Sequence, residues 1–330
     1  MLALLSKSSG GPETLVLSEL PEPIPGPGEV RIAVEACGVN YPDVLVIEDR
    51  YQFKPERPFA PGAEISGRID AVGDGVSRFK IGDRVLGGAG WGGMAEKIVL
   101  PEDRCFAIPD TMPFDVAAAF LMTYGTTIHA LRNRGNVRVG ETMLVLGASG
   151  GVGLAAVELG KAYGAKVIAA VSAPHKAKVA LDHGADATII YPAEGLDAQG
   201  AKAFLAEIRA HAPDGVDIVY DAVGGDYAEP ALRSMAWEGR YLVIGFPAGI
   251  PRLPLNLPLL KGCSIVGVFW GASIERSQEQ HCANVEELMQ LYQSGYLRPL
   301  VSERFPLARG GEAISRLASR AAVGKIVVTL

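Results

Sequence analysis

The spacing of apolar positions changes part-way along the chain. From Met1 to about Met112 the apolar residues come in short runs cut by turns. Val30–Val34 alternates between Pro-Gly turns, and Ile65–Val72 and Arg84–Leu86 are separated by Gly73-Asp74-Gly75 and Gly82-Asp83. Alternation at period two, bounded by such turn residues, predicts strands. No long helical period interrupts them, so this stretch reads as a mostly β unit.

From Pro113 to Pro258 strand and helix signals alternate. Strands are predicted at Thr142–Leu146, Lys166–Val171, Ala187–Ile190, Asp217–Asp221 and Arg240–Gly245. Helices are predicted at Gly151–Tyr163, Pro174–His183, Ala201–Ala210 and Asp226–Ala236. The first helix carries Val152, Ala155, Ala156 and Leu159 on one face. Strict alternation predicts a parallel, doubly wound α/β sheet with covered faces. Beyond Leu259 the pattern predicts a strand at Ser264–Phe269, helices at Asn284–Gln293 and Gly310–Ser319, and a closing strand at Lys325–Leu330. Spacing leaves open whether these extend the parallel sheet or return to the β unit.

Between the first strand and helix of the alternating region lies Gly147-Ala148-Ser149-Gly150-Gly151-Val152-Gly153. A glycine loop in that context turns backbone N–H groups and a helix N-terminus toward a pyrophosphate. Ala148, Gly150, Gly151, Val152 and Gly153 are therefore candidate cofactor-binding residues. Gly150 permits approach to the phosphates, and Gly153 permits close helix–sheet packing. The bare alternative is a tight turn without a ligand. An NAD site holds an acidic residue ~20 positions on, against the ribose hydroxyls. No Asp or Glu occurs from Leu159 to Leu181. Ser172 and Lys176 follow the second strand instead, a hydroxyl and an ammonium suited to a 2′-phosphate, and Tyr191 ends the third strand. This favours NADPH over NADH.

Net charge is −6, with no basic run, which argues against nucleic acid as a partner. No apolar stretch is long enough to span a membrane, and the N-terminus lacks a signal-peptide pattern. Cys37, Cys105, Cys263 and Cys282 form no CxxC pair. They read as reduced thiols of a cytoplasmic protein.

Several further segments fall in a recognisable order: Gly11-Pro12-Glu13, Pro25-Gly26-Pro27-Gly28-Glu29-Val30, Gly38-Val39-Asn40-Tyr41-Pro42-Asp43, Pro61-Gly62-Ala63-Glu64-Ile65-Ser66-Gly67, Val72-Gly73, Gly82-Asp83-Arg84-Val85, Asp221-Ala222-Val223-Gly224-Gly225 and Gly324-Lys325-Ile326-Val327. With the glycine loop, they make nearly the whole chain resemble the medium-chain dehydrogenase/reductase superfamily, in its zinc-free quinone oxidoreductase (zeta-crystallin-like) branch. The resemblance implies a GroES-like β domain, residues 1–118 and 266–330, around a Rossmann domain, residues 119–265. It implies a homodimer formed through a strand like Ser264–Phe269.

The resemblance also bears on metal. Zinc-dependent relatives have Cys where Asn40 stands and His where Ala63 stands, and Cys105 lacks the neighbouring cysteines of their structural site. A catalytic zinc needs three protein ligands, so no metal is expected. Substrates must then be electrophilic already, such as quinones or α,β-unsaturated carbonyls. Carried over from the family, Asn40 lies beside the nicotinamide and the substrate, and Tyr51 lines the pocket and donates a hydrogen bond or proton, although an aromatic at a loop end explains Tyr51 equally well. Tyr41, Trp91 and Trp270 are candidate pocket residues, and Asp43 is a structural hydrogen-bonding residue. Thr126, Gly245, Phe246, Phe269 and Trp270 are expected at the cofactor, and Lys325 near its phosphates. His129 and His175 are not read as acid–base groups. Two alternatives stand beside this reading. One is an enoyl-thioester reductase, with Arg50, Lys54 and Arg57 meeting CoA. The other is an NADPH-binding protein with little turnover.

Overall fold

The strand Glu29–Gly38 buries Val30, Ile32 and Val34 on one face, then Ala36 and Cys37 as both faces become covered. It is the centre of the first unit. In the computed structural model, which describes residues 1–330, this strand pairs antiparallel with Glu64–Val72 on one side. On the other it pairs antiparallel with Lys97–Pro101 and, further along, with Lys325–Thr329. The seven-stranded sheet runs in the order Val301–Pro306, Lys325–Thr329, Glu29–Gly38, Glu64–Val72, Arg84–Gly88, Cys105–Ala107, with Lys97–Pro101 off this path on Glu29–Gly38. One apolar cluster fills it, from Leu4 and Ile32 through Ile65 and Met94 to Ile314 and Val328.

The second unit holds a six-stranded, all-parallel sheet. Its order is Ala187–Ile190, Lys166–Val171, Thr142–Leu146, Val216–Asp221, Met235–Val243, Ser264–Gly267. By chain order within the sheet this is 3-2-1-4-5-6, the doubly wound Rossmann arrangement. Right-handed crossovers of a parallel sheet require the intervening helices, and the chain supplies Gly151–Ala162, Pro174–Asp182, Ala198–His211 and Ala228–Arg233. The strands are buried on both faces: Met143–Leu146, Val167–Ala170 and Ile218–Tyr220 are closed to solvent.

Met1–Met122 with Pro299–Leu330 form the first unit, and Thr123–Arg298 the second. The first crossing lies close to the expected 118/119. The second falls at Arg298/Pro299 rather than near 265/266. The reason is that the strand Ser264–Gly267 completes the parallel sheet, and the helix Gln278–Gln293 is held to the second unit. Asn284 donates to Asn133 at 2.8 Å, and Tyr163 donates to Glu287 at 3.0 Å. The predicted helix Asp226–Ala236 is also shorter than expected. It spans Ala228–Arg233, and a long strand begins at Met235. In the first unit the sequence pattern missed the helix Tyr41–Ile47, whose buried Val44, Val46 and Ile47 do not repeat at a helical spacing long enough to recognise.

A buried carboxylate ties the second unit together. Glu158, on the helix Gly151–Ala162, accepts hydrogen bonds from Tyr124 Oη at 2.7 Å and from Arg298 N at 3.0 Å, and its other oxygen meets His183 Nδ1 at 2.6 Å. Burial, then the Glu158 charge, push the Tyr124 phenol well up, which keeps it a donor.

Candidate functional site

In the second unit, strand order reverses between Thr142–Leu146 and Val216–Asp221, which pair as the two innermost strands. Ligands of doubly wound sheets bind outside the carboxyl ends at such a reversal. The glycine loop leaves Leu146 at this point. Gly147 sits at φ 70° and the loop folds back so tightly that a Cβ on Gly153 would lie 2.1 Å from Gly147 O. Only glycine fits there. Ala148 is buried, while Gly150, Gly151 and Val152 stay half-exposed at the start of a 12-residue helix. The amides of its first turn have no intrahelical acceptor and carry partial positive charge, and nothing lies nearer than 3.6 Å to a Cβ placed on Gly150. These features fit a dinucleotide pyrophosphate.

The facing loop follows Asp221. Its Oδ1 accepts from Val223 N at 2.9 Å and Gly224 N at 2.8 Å, while Oδ2 accepts from Tyr241 Oη at 2.6 Å. Burial raises the Asp221 carboxyl above its ordinary value, against the pull of these donors. The sequence had marked this segment only as a resemblance; the buried acid that shapes the loop gave no separate signal.

The other cofactor candidates sit along the same carboxyl edge. Ser172 follows Lys166–Val171, and Lys176, in the first turn of the next helix, donates to Ser172 Oγ at 3.2 Å. Tyr191 ends Ala187–Ile190, but its ring packs in the core at 4.5 Å from the Tyr227 centroid and 5.8 Å from that of Phe204. Gly245 and exposed Phe246 follow Met235–Val243. Exposed Phe269 and buried Trp270 follow Ser264–Gly267. Trp270 lies against Gly125, where a Cβ would meet its ring at 2.8 Å; Thr126, next in the chain, is half-exposed. The indole Nε1 of Trp270 has no hydrogen-bond partner. His129 packs in a π-helical turn with its Nδ1 3.3 Å from Asn133, and His175 is exposed, so neither is placed for acid–base work.

The first unit gathers a second group around the end of its central strand. The register sets Glu64 opposite Gly38, and Val39 N donates to Ile326 O at 3.0 Å, which brings Lys325 beside Asn40. Lys325 Nζ donates to Val39 O at 2.9 Å, to Asn40 Oδ1 at 2.6 Å and to Glu64 Oε1 at 2.6 Å. Asn40 Nδ2 donates to Glu64 Oε1 at 2.9 Å and Gly38 O at 3.2 Å, and Glu64 Oε2 accepts from Met122 N at 2.8 Å. Asn40, Glu64 and Lys325 are 6%, 1% and 6% exposed. Lys325, expected near the cofactor phosphates, directs its three ammonium protons into this cluster. Glu64 was legible only as part of a motif.

Asp43 caps the same corner, as a structural hydrogen-bonding residue. It accepts from Asn40 N at 2.8 Å and Gly62 N at 2.9 Å. Gly62, at φ 101°, bends the loop that pairs with Gly92–Met94 and so carries exposed Trp91. Burial pushes the Asp43 carboxyl from 3.8 up to about 6, opposed by its two amide bonds. Tyr51 is half-buried against the same core; burial, then the Asp43 charge, push its phenol up and keep it protonated. Tyr41 is half-buried on the adjoining helix.

Zinc does not fit this corner. Asn40 and Ala63 supply no zinc donor, the Glu64 carboxylate is occupied by Lys325, and no three His, Cys, Asp or Glu side chains are grouped to hold a metal ion.

Residues 26–110 match the alcohol dehydrogenase GroES-like domain, and residues 151–289 match the zinc-binding dehydrogenase family. Quinone oxidoreductase-like protein 2 homolog of Nematostella vectensis is 39% identical over 92% of this chain and 82% of its own length. A mycobacterial protein solved in complex with NADPH superposes with TM-score 0.91 at 31% identity, over all of both chains. The Escherichia coli quinone oxidoreductase, also complexed with NADPH, gives TM-score 0.89 at 27% identity over all of both chains. A Rossmann sheet joined to a GroES-like domain defines a medium-chain dehydrogenase/reductase. The chain belongs to that family, in its quinone oxidoreductase branch.

The Asp43 geometry makes a stability prediction. In Asp43→Asn one of two buried amides faces an NH2 group instead of an oxygen, which should cost about 1–3 kcal/mol. Because the folded-state value lies above the unfolded 3.8, the native state holds a proton the unfolded chain has lost between pH 4 and 6. Wild-type stability relative to the variant should thus fall by up to about 3 kcal/mol as pH rises through that window. Urea melts of both proteins at pH 4.5 and 7 check this; a difference independent of pH would refute it.

Proposed function

We propose that this oxidoreductase binds NADPH along the carboxyl edge of its parallel sheet and reduces quinones or α,β-unsaturated carbonyls without zinc. The observation that carries the reading is the glycine loop and open helix N-terminus at the reversal of strand order, with Ser172 and Lys176 where an NAD enzyme needs an acid. The NADPH complexes among similar structures support the cofactor. Bound there, the cofactor supplies hydride. Gly150–Gly153 receive the pyrophosphate, and Ser172 and Lys176 the 2′-phosphate, with Tyr191 closing the core beneath them. Thr126, Gly245, Phe246, Phe269 and Trp270 border the nicotinamide half. Asn40 contacts the reacting groups, Tyr41, Trp91 and Trp270 shape the substrate pocket, and protonated Tyr51 donates to the substrate oxygen as negative charge develops. Zinc independence is supported by the residues at positions 40 and 63, Asn and Ala, neither of which supplies a zinc donor. Four free thiols support a cytoplasmic setting, and no helix is long and apolar enough to cross a membrane.

Enoyl-thioester reduction is the less favoured substrate class. Of the three cations it would draw on, Arg57 is engaged by Asp49 at 2.8 Å and Ile47 O at 2.9 Å, and Arg50 by Glu48 at 2.9 Å.

The occupant proposed for the open sheet edge is a second copy of this chain. Ser264–Gly267 pairs on one side only, and Ile265, Leu259, Leu260 and Trp237 leave 39%, 79%, 69% and 71% of their surface exposed near it. Sedimentation should give a dimer, and Leu259→Glu with Leu260→Glu a monomer; a monomeric wild type would overturn the pairing.

Two measurements test the chemistry. NADPH oxidation is expected with a simple quinone or a short enone, unchanged by chelator and weak with medium-chain enoyl-CoA. Turnover of the thioester alone would move the protein to the enoyl reductases, and tight NADPH binding without turnover would make it a binding protein. Lys176→Ala should narrow the preference for NADPH over NADH about tenfold, the loss of one charge-assisted contact. An unchanged ratio would remove Lys176 from the phosphate site.

A further inference from the structure

Hydrogen-bond chemistry decides which way the Asn40 amide points. Lys325 is a donor only, so the Asn40 atom 2.6 Å from its Nζ is the oxygen. Glu64, when ionised, is an acceptor only, so the atom 2.9 Å from its Oε1 is the nitrogen. The second Nδ2 proton goes to Gly38 O at 3.2 Å. Both amide protons are thereby used within the cluster, and the capping box sets the Asp43 N–H toward the same side chain, so any further partner can meet Asn40 only at Oδ1. Lys325 and Glu64 form a closed ion pair at 2.6 Å, with side chains 7% and 2% exposed, so this orientation is held against flipping.

We infer that Lys325 and Glu64 are positioning residues that lock Asn40 as a hydrogen-bond acceptor toward the reacting groups. The inference rests on the reading of Asn40 as a contact to those groups. An acceptor suits an N–H bearing partner, such as a carboxamide, and cannot stabilise an oxyanion. The donor to the substrate oxygen must then come from another side chain. Neither Lys325 nor Glu64 touches cofactor or substrate in this scheme; both act through Asn40.

A double-mutant cycle with quinone turnover and NADPH affinity tests it. Asn40→Ala and Lys325→Met are each expected to lower kcat about tenfold or more, with any loss of NADPH affinity small and the same in both variants. The double variant should be no slower than Asn40→Ala alone, because the lysine has nothing left to position. Lys325→Arg should recover part of kcat. Removing one partner of a buried pair is destabilising, so Glu64→Gln, nearly isosteric, provides a second entry to the same cycle if Lys325→Met does not fold. Multiplicative losses in the double variant would overturn the inference. So would a Lys325→Met enzyme with normal kcat and much weaker NADPH binding, which would return the lysine to the phosphates. If Asn40→Ala keeps full kcat, the underlying reading of Asn40 fails, and the positioning role with it; if Asn40→Ala is slow but Lys325 and Glu64 variants are not, only the positioning role fails.

Discussion

The ion pair between Glu64 and Lys325 is the constraint on which the first unit depends. It joins residues 261 positions apart in the sequence and lies where three strands meet. Burying two charges costs several kcal/mol per ion, and Coulomb attraction alone returns this only when the remaining donors and acceptors are also satisfied. Here they are. Lys325 reaches Val39 O and Asn40, and Glu64 reaches Asn40 and Met122 N. A one-residue slip of the terminal strand would move Lys325 to the other face of the sheet and leave Glu64 buried without its partner. Register, more than net stability, is what such a pair enforces.

A comparable device operates in the second unit with fewer charges. Asp221 gathers two loop amides and a tyrosine hydroxyl, fixing the turn that faces the glycine loop. Both units thus place a buried carboxylate at the end of a strand, where backbone amides would otherwise lack acceptors. The loops that carry candidate chemistry are stiffened from beneath, which is the arrangement preorganised sites require.

How much was legible follows from the range of the interactions. The parallel sheet and its glycine loop are local: each strand, turn and helix announces itself within ~15 residues, so boundaries such as Thr142–Leu146 and Lys166–Val171 coincide with the observed ones. The loop candidates and Ser172 with Lys176 came together for the same reason. The partners of Lys325 were not legible, because they are fixed by pairing across nearly the whole chain, which no local pattern encodes. Glu158 and Asp221 were overlooked because a buried acid looks like any other acid until its donors are known. The late boundary at Arg298 was hidden because the strand at Ser264 was legible but its sheet was not: only its pairing with Met235–Val243 assigns it to the second unit.

Glu158 has a consequence for how such a molecule is assembled. One oxygen of its carboxylate holds both Tyr124 and Arg298, the second and the last residues of the segment Thr123–Arg298. The ends of a 176-residue stretch (298 − 123 + 1) are thus brought to a single atom. A host chain that receives a module with joined ends bridges almost no distance, and the entropy of closing that long loop is borne by the module's own fold. Architecturally the segment is a cassette with its own clasp.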